Sequence, residues 1–219
     1  MKTLLAIETS TRACSVALSY AGKIHVLEEM TPQAHAKMLL PMVDKLLQSK
    51  SVRPEEIEGL VFGQGPGAFT GLRIATSVVQ GLALGWNKPF SAVSGLEAMA
   101  WSYSVSQQKP VAAVLDARMG ECYVSIYAQG QQCVPASLVS PERLIEWLEQ
   151  YEVGLGVGDA LASFPMLQQR FSQWQTMQPS AQHLLEMVQA LRPSFKTLDA
   201  ALPVPLYLRN QVAEKAKGR

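Results

Sequence analysis

Cysteine is scarce in this chain of 219 residues, and the cysteines present form no metal-binding or disulfide pattern. Cys14, Cys122 and Cys133 are far apart and odd in number. A structural zinc site needs closely spaced pairs, and a disulfide framework usually needs an even count. We therefore interpret them as reduced, packed thiols, which is typical of a cytoplasmic protein.

Charge and long apolar runs are also limited. Charged residues make up 17% of the chain and the formal net charge is +1, so the basic footprint of a free-standing nucleic-acid binder is missing. No uninterrupted apolar run reaches the roughly 20 residues of a membrane span. The first residues lead straight to Glu8, unlike a signal peptide. We expect no membrane partner.

Histidine is too dispersed to indicate a nucleophilic enzyme. His25, His35 and His183 are far apart and do not accompany a plausible nucleophile, which disfavours a peptidase. Glu8 and Asp116 are the only acids in two predicted turns that would face a shared cleft. Two isolated acids give little support for a magnesium-dependent phosphotransferase.

What is present is a repeated order of predicted elements, β-β-β-α-β, that occurs twice. The first set comprises strands near 4–7, 14–20 and 24–30, a helix near 33–48 and a strand near 57–62. The second comprises strands near 111–115, 122–127 and 133–139, a helix near 141–150 and a strand near 153–157. Further helices are predicted near 70–85, 95–103 and 181–191, with a strand near 90–93.

Two such halves around a central cleft indicate an α/β fold of the actin-like, Hsp70-like ATPase-domain (ASKHA) type, built from two tandem RNase H-like subdomains. A polar stretch before Pro110 suggests a boundary between an N-terminal subdomain, 1–104, and a reduced C-terminal subdomain, 105–219. In this architecture the turns at 8–12 and 116–120 face a nucleotide phosphate.

A glycine-rich turn, Gly63 to Ala68, follows a predicted strand and precedes a helix. It matches G-x-G-x-x-G/A, but a dinucleotide site also needs an acid about twenty residues later. No Asp or Glu occurs between Glu58 and Glu97, and no lysine follows the glycines as a P-loop requires. Two interpretations stay open, a structural turn and an anion site at a helix N-terminus. The weak cofactor-binding candidates of the two turns are Thr9, Ser10, Gly65 and Gly67.

The helix after this turn carries small residues at four-residue spacing, Ser77, Gly81 and Gly85, opposite a separate apolar face. Apolar or small residues surround nearly the whole helix, so we expect both faces to be buried, either within the chain or against another subunit. The preceding helix adds a surplus apolar flank, Met38 and Met42, and methionine-rich surfaces adapt well to partners.

The sequence resembles the bacterial TsaB family, formerly called YeaZ, over essentially the whole chain. The matching segments are Ile7-Glu8-Thr9-Ser10-Thr11, the run from His35 to Leu47 with Leu39-Leu40-Pro41, Gly65-Pro66-Gly67-Ala68-Phe69-Thr70-Gly71-Leu72-Arg73, Asp116-Ala117-Arg118-Met119-Gly120-Glu121 with Tyr123, and Pro205-Leu206-Tyr207-Leu208-Arg209. The glycine block with Phe-Thr-Gly-Leu-Arg is the most specific.

The resemblance implies a non-catalytic scaffold subunit required for threonylcarbamoylation of the adenosine beside the anticodon in tRNAs that read codons starting with A. It implies pairing with the catalytic paralogue TsaD and the ATPase TsaE, contact with tRNA only within the complex, and a homodimer when alone. TsaD proteins place two metal-binding histidines where this chain has Gly95 and Met99. Neither residue can replace an imidazole, so we expect no catalytic residue, metal or cofactor.

The pairing surface is predicted on the helices near 33–48 and 70–85, with Met38, Met42, Arg73, Ser77, Gly81 and Gly85 as its residues. The alternatives are a stand-alone small-molecule kinase or ATPase of the actin-like superfamily, and a peptidase acting on the paralogue. The basic residues Lys215, Lys217 and Arg219 are interpreted as a solvated tail.

Overall fold

The structure, a computed structural model, describes residues 2–30 and 34–209. The described residues form two five-stranded sheets and five α-helices. The strands are β1 (Leu4–Glu8), β2 (Ala13–Tyr20), β3 (Lys23–Met30), β4 (Gly59–Gly65), β5 (Phe90–Ser94), β6 (Val111–Asp116), β7 (Cys122–Ala128), β8 (Gln131–Val139), β9 (Leu155–Gly158) and β10 (Gln173–Thr176). The helices are α1 (His35–Ser49), α2 (Phe69–Trp86), α3 (Gly95–Ser104), α4 (Pro141–Gln150) and α5 (Ala181–Leu191).

The two sheets have the same topology. The first has the order β3-β2-β1-β4-β5 and the second β8-β7-β6-β9-β10, read in the same direction. In each, the first three strands are antiparallel and the last two run parallel to the first. This duplication confirms the predicted repeat and the actin-like fold with two RNase H-like halves.

One strand was not predicted. The β10 segment, Gln173-Trp174-Gln175-Thr176, is a short edge strand beside β9. Three of its four residues are polar and exposed, so neither an apolar run nor a buried alternation marks it in the sequence. Its pairing with β9 gives the second sheet its fifth strand.

Helices α3 and α5, the last helix of each half, connect the two halves. Helix α5 packs on the face of the first sheet that α1 and α2 leave open, while α3 packs on the second sheet and on α5. The backbone N–H of Ala181 donates to Ser15 Oγ at 2.8 Å. The Glu97 carboxylate, on α3 of the first half, accepts from the Ala136 N–H, on β8 of the second half, at 2.8 Å. Each half therefore contributes a helix that covers the other half's sheet, and the boundary at residue 104 stays a prediction.

Helix α1 differs from expectation at Met42. That side chain is 4% exposed and belongs to the core of the first half, so its assignment to a surplus flank is wrong. It lies three residues after Leu39 and four before Leu46, both buried, and therefore shares their stripe. The predicted first residue of this helix, Gln33, and the basic tail lie outside the described residues.

The cysteines are free thiols, and Cys14 and Cys122 are buried. Burial, with nearby carboxylates, raises the pKa of Cys14 to about 11 and that of Cys122 to about 12. Among the helices within residues 2–30 and 34–209, none is long and apolar enough to cross a bilayer.

Candidate functional site: the interdomain cleft and the open face of helix α2

The turn after β1 packs directly against the glycine-rich turn and the start of α2, and hydrogen bonds join them. The Thr9 hydroxyl donates to the Gly71 carbonyl at 2.8 Å, and the Ala68 N–H donates to the Ser10 carbonyl at 2.7 Å. A methyl group added at Gly67 or Gly71 would overlap the backbone of Ser10 or Thr9. The glycines therefore allow the start of α2 to approach the first turn.

A cavity of about 530 Å³ lies between the two halves, and both predicted turns line it. Of the four weak candidates, Ser10 and Gly67 are in its wall. Thr9 is buried and its hydroxyl is already bonded, and Gly65, at φ +108°, packs against Leu72 and the Leu206 carbonyl. The geometry of Thr9 and Gly65 favours the structural interpretation of those two residues.

Two carboxylates, Asp116 in the second turn and Asp159 after β9, are held in place by hydrogen bonds. The Asp116 carboxylate accepts from the Ser163 hydroxyl at 2.7 Å and from the Arg118 backbone N–H at 2.7 Å. Asp159 accepts from the Asp116 N–H at 3.0 Å and from the Gln178 amide at 3.1 Å. Sequence reasoning missed Asp159, although it directly follows the glycines at the end of β9, where a parallel strand meets the cleft.

Glu8, at the end of β1, is a fully buried acid. One of its oxygens accepts from the Ser10 N–H at 2.6 Å, and the other has no hydrogen-bond partner among the described residues. The backbones of Gly63 and Gly95 enclose the carboxyl so tightly that a methyl group at either would overlap it. Burial raises the pKa of Glu8, and hydrogen bonds from Ser10 and the Thr9 backbone oppose that rise only in part.

Residue 95 must be a glycine because any side chain there would displace the Glu8 carboxyl. Met99, four residues further along α3, is fully buried in the core beside the second sheet. Within the described part of the chain, no three His, Cys, Asp or Glu side chains cluster as metal ligands.

The segment from 193 to 209 returns across the first half and reaches the second. The Leu206 N–H donates to the Gln64 carbonyl at 2.6 Å. The Arg209 guanidinium donates to the carbonyls of Ala117 and Arg118 at 3.2 Å and forms an ion pair with Glu121 at 2.6 Å. The motif Pro205 to Arg209 therefore joins the glycine-rich turn to the second cleft turn.

Helix α2 presents an open face. Ser77, Gly81 and Gly85 are exposed, and added methyl groups at the two glycines would meet no atom of residues 2–30 and 34–209 within 4 Å. Arg73 is exposed at the start of the same face, and Leu84 is 75% exposed beside it. Of the two alternatives, burial within the chain is therefore wrong for the small-residue face, and burial against another subunit stays a prediction. The apolar face with Ala75 and Val79 packs on the first sheet, and the small-residue face does not.

Met38 is half-buried and packs against the first core. Together with the burial of Met42, this leaves Leu40, 49% exposed, as the large apolar side chain that α1 offers to solvent. The pairing residues predicted on α2 thus share one accessible face, whereas those on α1 do not.

Comparisons with known proteins agree with this geometry. The family model described as "TsaD: tRNA N6-adenosine threonylcarbamoyltransferase" matches residues 24–217. The tRNA threonylcarbamoyladenosine biosynthesis protein TsaB of Haemophilus influenzae is 34% identical over 99% of this chain and 98% of its own. The chain belongs to the TsaB family.

Two further TsaB relatives support the assignment. The TsaB protein of Escherichia coli is 33% identical over 97% of this chain and 96% of its own. The solved structure of YeaZ from Pseudomonas aeruginosa is 37% identical, covers 94% of this chain and 100% of its own, and superposes with a TM-score of 0.79. Sequence and fold therefore indicate the same family.

Proposed function

We propose that this chain is a non-catalytic scaffold subunit in the biosynthesis of threonylcarbamoyladenosine in tRNA. Its relatives carry that pathway in their names. The partner is a TsaD-type catalytic paralogue, with a TsaE-type ATPase joining the pair, and tRNA is bound only in the assembled complex. The adenosine modified is the one next to the anticodon in tRNAs reading A-starting codons.

One observation carries the proposal: the exposed stripe of Ser77, Gly81 and Gly85 on α2. Small residues at this spacing let a second helix backbone approach closely, and a glycine in a helix interior costs about 1 kcal/mol relative to alanine. Gly81 carries this cost, and no atom of the described residues lies within 4 Å of a methyl group built there or at Gly85. Close packing of a partner helix supplies the reason for both.

The same face also predicts self-association in the absence of the paralogue. The exposed stripe and Leu84, 75% exposed on the same helix, form apolar surface for a second copy to cover. We therefore expect a homodimer of the isolated protein, which addition of the paralogue converts into a mixed complex.

The Gly81→Leu variant tests the proposed face. A leucine there has room in the monomer and raises helix propensity, so the free energy of unfolding should hold or rise by about 1 kcal/mol. Its side chain would keep a partner helix from approaching. We expect loss of the mixed complex on a sizing column, with Gln150→Leu, at the exposed end of α4, as the matched control.

Two outcomes contradict the proposal. A mixed complex that survives Gly81→Leu would show that the face is misassigned. Magnesium-dependent ATP hydrolysis by the isolated protein would instead favour a stand-alone kinase or ATPase, and cleavage of the added paralogue would favour a peptidase.

A further inference from the structure

The open face of α2 carries a single charge, Arg73. The helix from Phe69 to Trp86 contains no other charged residue, and no Asp or Glu occurs between Glu58 and Glu97. In the part of the chain that the structure describes, Arg73 makes no ion pair. An arginine on an otherwise uncharged pairing face needs a reason.

Two aromatic rings hold this arginine in place. Its guanidinium carbon lies 3.8 Å from the centre of the Phe69 ring, one turn earlier on α2. Its Nε donates to the Tyr207 hydroxyl at 3.4 Å, and the rings of Phe69 and Tyr207 lie 5.5 Å apart. A stacked guanidinium keeps its remaining N–H groups directed outwards in a fixed fork, which lowers the entropy lost on binding.

The held guanidinium borders a groove between α1 and α2. The groove has a volume of about 440 Å³, and its wall combines the apolar side chains of Ala36, Ile74 and Val78 with Ser77, Arg73 and the Phe69 ring. Among the described residues of that wall, Arg73 alone is charged. A side chain that fills the groove is therefore expected to have an apolar stem and an acidic end.

We infer that Arg73 recognises a carboxylate on the TsaD-type paralogue, presented by the helix that packs on α2. The inference rests on the proposed function, since it deepens the same pairing face. Burying an unpaired guanidinium costs several kcal/mol, so a partner that covers Arg73 itself binds more tightly when it brings an anion. The planar fork of arginine favours a carboxylate that accepts two parallel hydrogen bonds.

The same charge separates the paralogue from a second copy of this chain. Pairing two copies through α2 brings together faces with one arginine each and no acid. Self-association on this face therefore gains no ion pair from Arg73. Arg73 favours the mixed complex over the homodimer.

The test measures the affinity of full-length protein for purified paralogue by titration calorimetry at several salt concentrations. Arg73→Glu should weaken the mixed complex at least about 30-fold, the loss expected for a desolvated charge pair. Arg73→Lys should fall between, because it keeps the charge and loses the fork and the stack. Self-association of Arg73→Glu should be unchanged or stronger.

Arg143→Glu is the matched control, because Arg143 also lies over an aromatic ring, Trp147 at 5.4 Å, on α4 of the other half. It should bind the paralogue like wild type. Arg73→Gln provides a neutral variant should Arg73→Glu unfold, and its affinity should fall and lose most of the salt dependence.

The inference is overturned if Arg73→Glu or Arg73→Gln binds the paralogue within two-fold of wild type while Gly81→Leu does not bind. In that case the face is right and the carboxylate is not. If Gly81→Leu also binds normally, the proposed pairing face itself fails.

Discussion

Glu8 illustrates how a single side chain can follow the family pattern while its environment changes its chemistry. An exposed carboxylate in a cleft turn would be ionised and available to a cation. Here the carboxyl is fully buried, enclosed by Gly63 and Gly95, and burial raises its pKa. It therefore holds its proton at a pH where an exposed glutamate has lost it.

This raised pKa predicts a pH dependence of stability with a definite sign. Above the ordinary glutamate pKa of 4.5, the unfolded chain releases the proton of Glu8 while the folded protein keeps it. The free energy of unfolding therefore decreases as pH rises from 4.5 to the folded pKa, by at most about 1.4 kcal/mol per pH unit. Glu8→Gln removes this term, so its stability relative to wild type should increase with pH in urea unfolding.

The control is Glu55→Gln, which makes the same change at an exposed glutamate. If the Glu8→Gln and wild-type profiles run parallel from pH 5 to 9, Glu8 does not titrate with a raised pKa.

Two glycines of α2 lie in opposite surroundings. Gly71 lies against the Thr9 carbonyl, whereas Gly81 has open space. Gly71→Ala should lower the free energy of unfolding by about 1–3 kcal/mol because the turn must move. Gly81→Ala should raise it by about 0.5–1 kcal/mol through helix propensity alone.

Thermal unfolding of both variants beside wild type checks these signs. Equal effects of the two substitutions would mean that contact with the first turn does not explain Gly71. A weaker mixed complex with Gly81→Ala, despite its greater stability, would fit the pairing role of the open face.

The sequence was informative wherever the spacing of apolar and small residues, or a turn residue, determines local structure. The stripe of Ser77, Gly81 and Gly85 was readable because four-residue spacing places side chains on one helix face. The sequence did not reveal which stripe of α2 stays exposed, because the exposure of each stripe depends on which side of the helix packs on the sheet. Met42 was misplaced for the same reason, since only its neighbours in space show that it belongs to the core.

The cleft was less predictable than the elements around it. Both turns were located from the repeated strand order, and Asp116 was identified. The contacts of Asp159 and Arg209 were not predicted, because they join residues more than 40 positions apart. Strand β10 was not predicted because a polar edge strand lacks the alternation of apolar and polar residues that marks a half-buried strand.

Across the whole molecule, three connections hold the halves together. Helices α3 and α5 each cover the other half's sheet, and the segment ending at Arg209 joins the glycine-rich turn to the second cleft turn. Within residues 2–30 and 34–209, these links leave the small-residue face of α2 exposed. An exposed helix face on a packed body is consistent with the proposed scaffold role.

The measurement that tests this most directly is mass spectrometry of nucleosides from bulk tRNA. Cells would carry, as their only copy, the gene for wild type, Gly81→Leu or the Gln150→Leu control, with protein levels checked by immunoblot. We predict that threonylcarbamoyladenosine falls with Gly81→Leu as far as after complete depletion, and stays normal with Gln150→Leu. A normal level of the modified nucleoside with Gly81→Leu protein at wild-type abundance would contradict pairing through α2 as the basis of function.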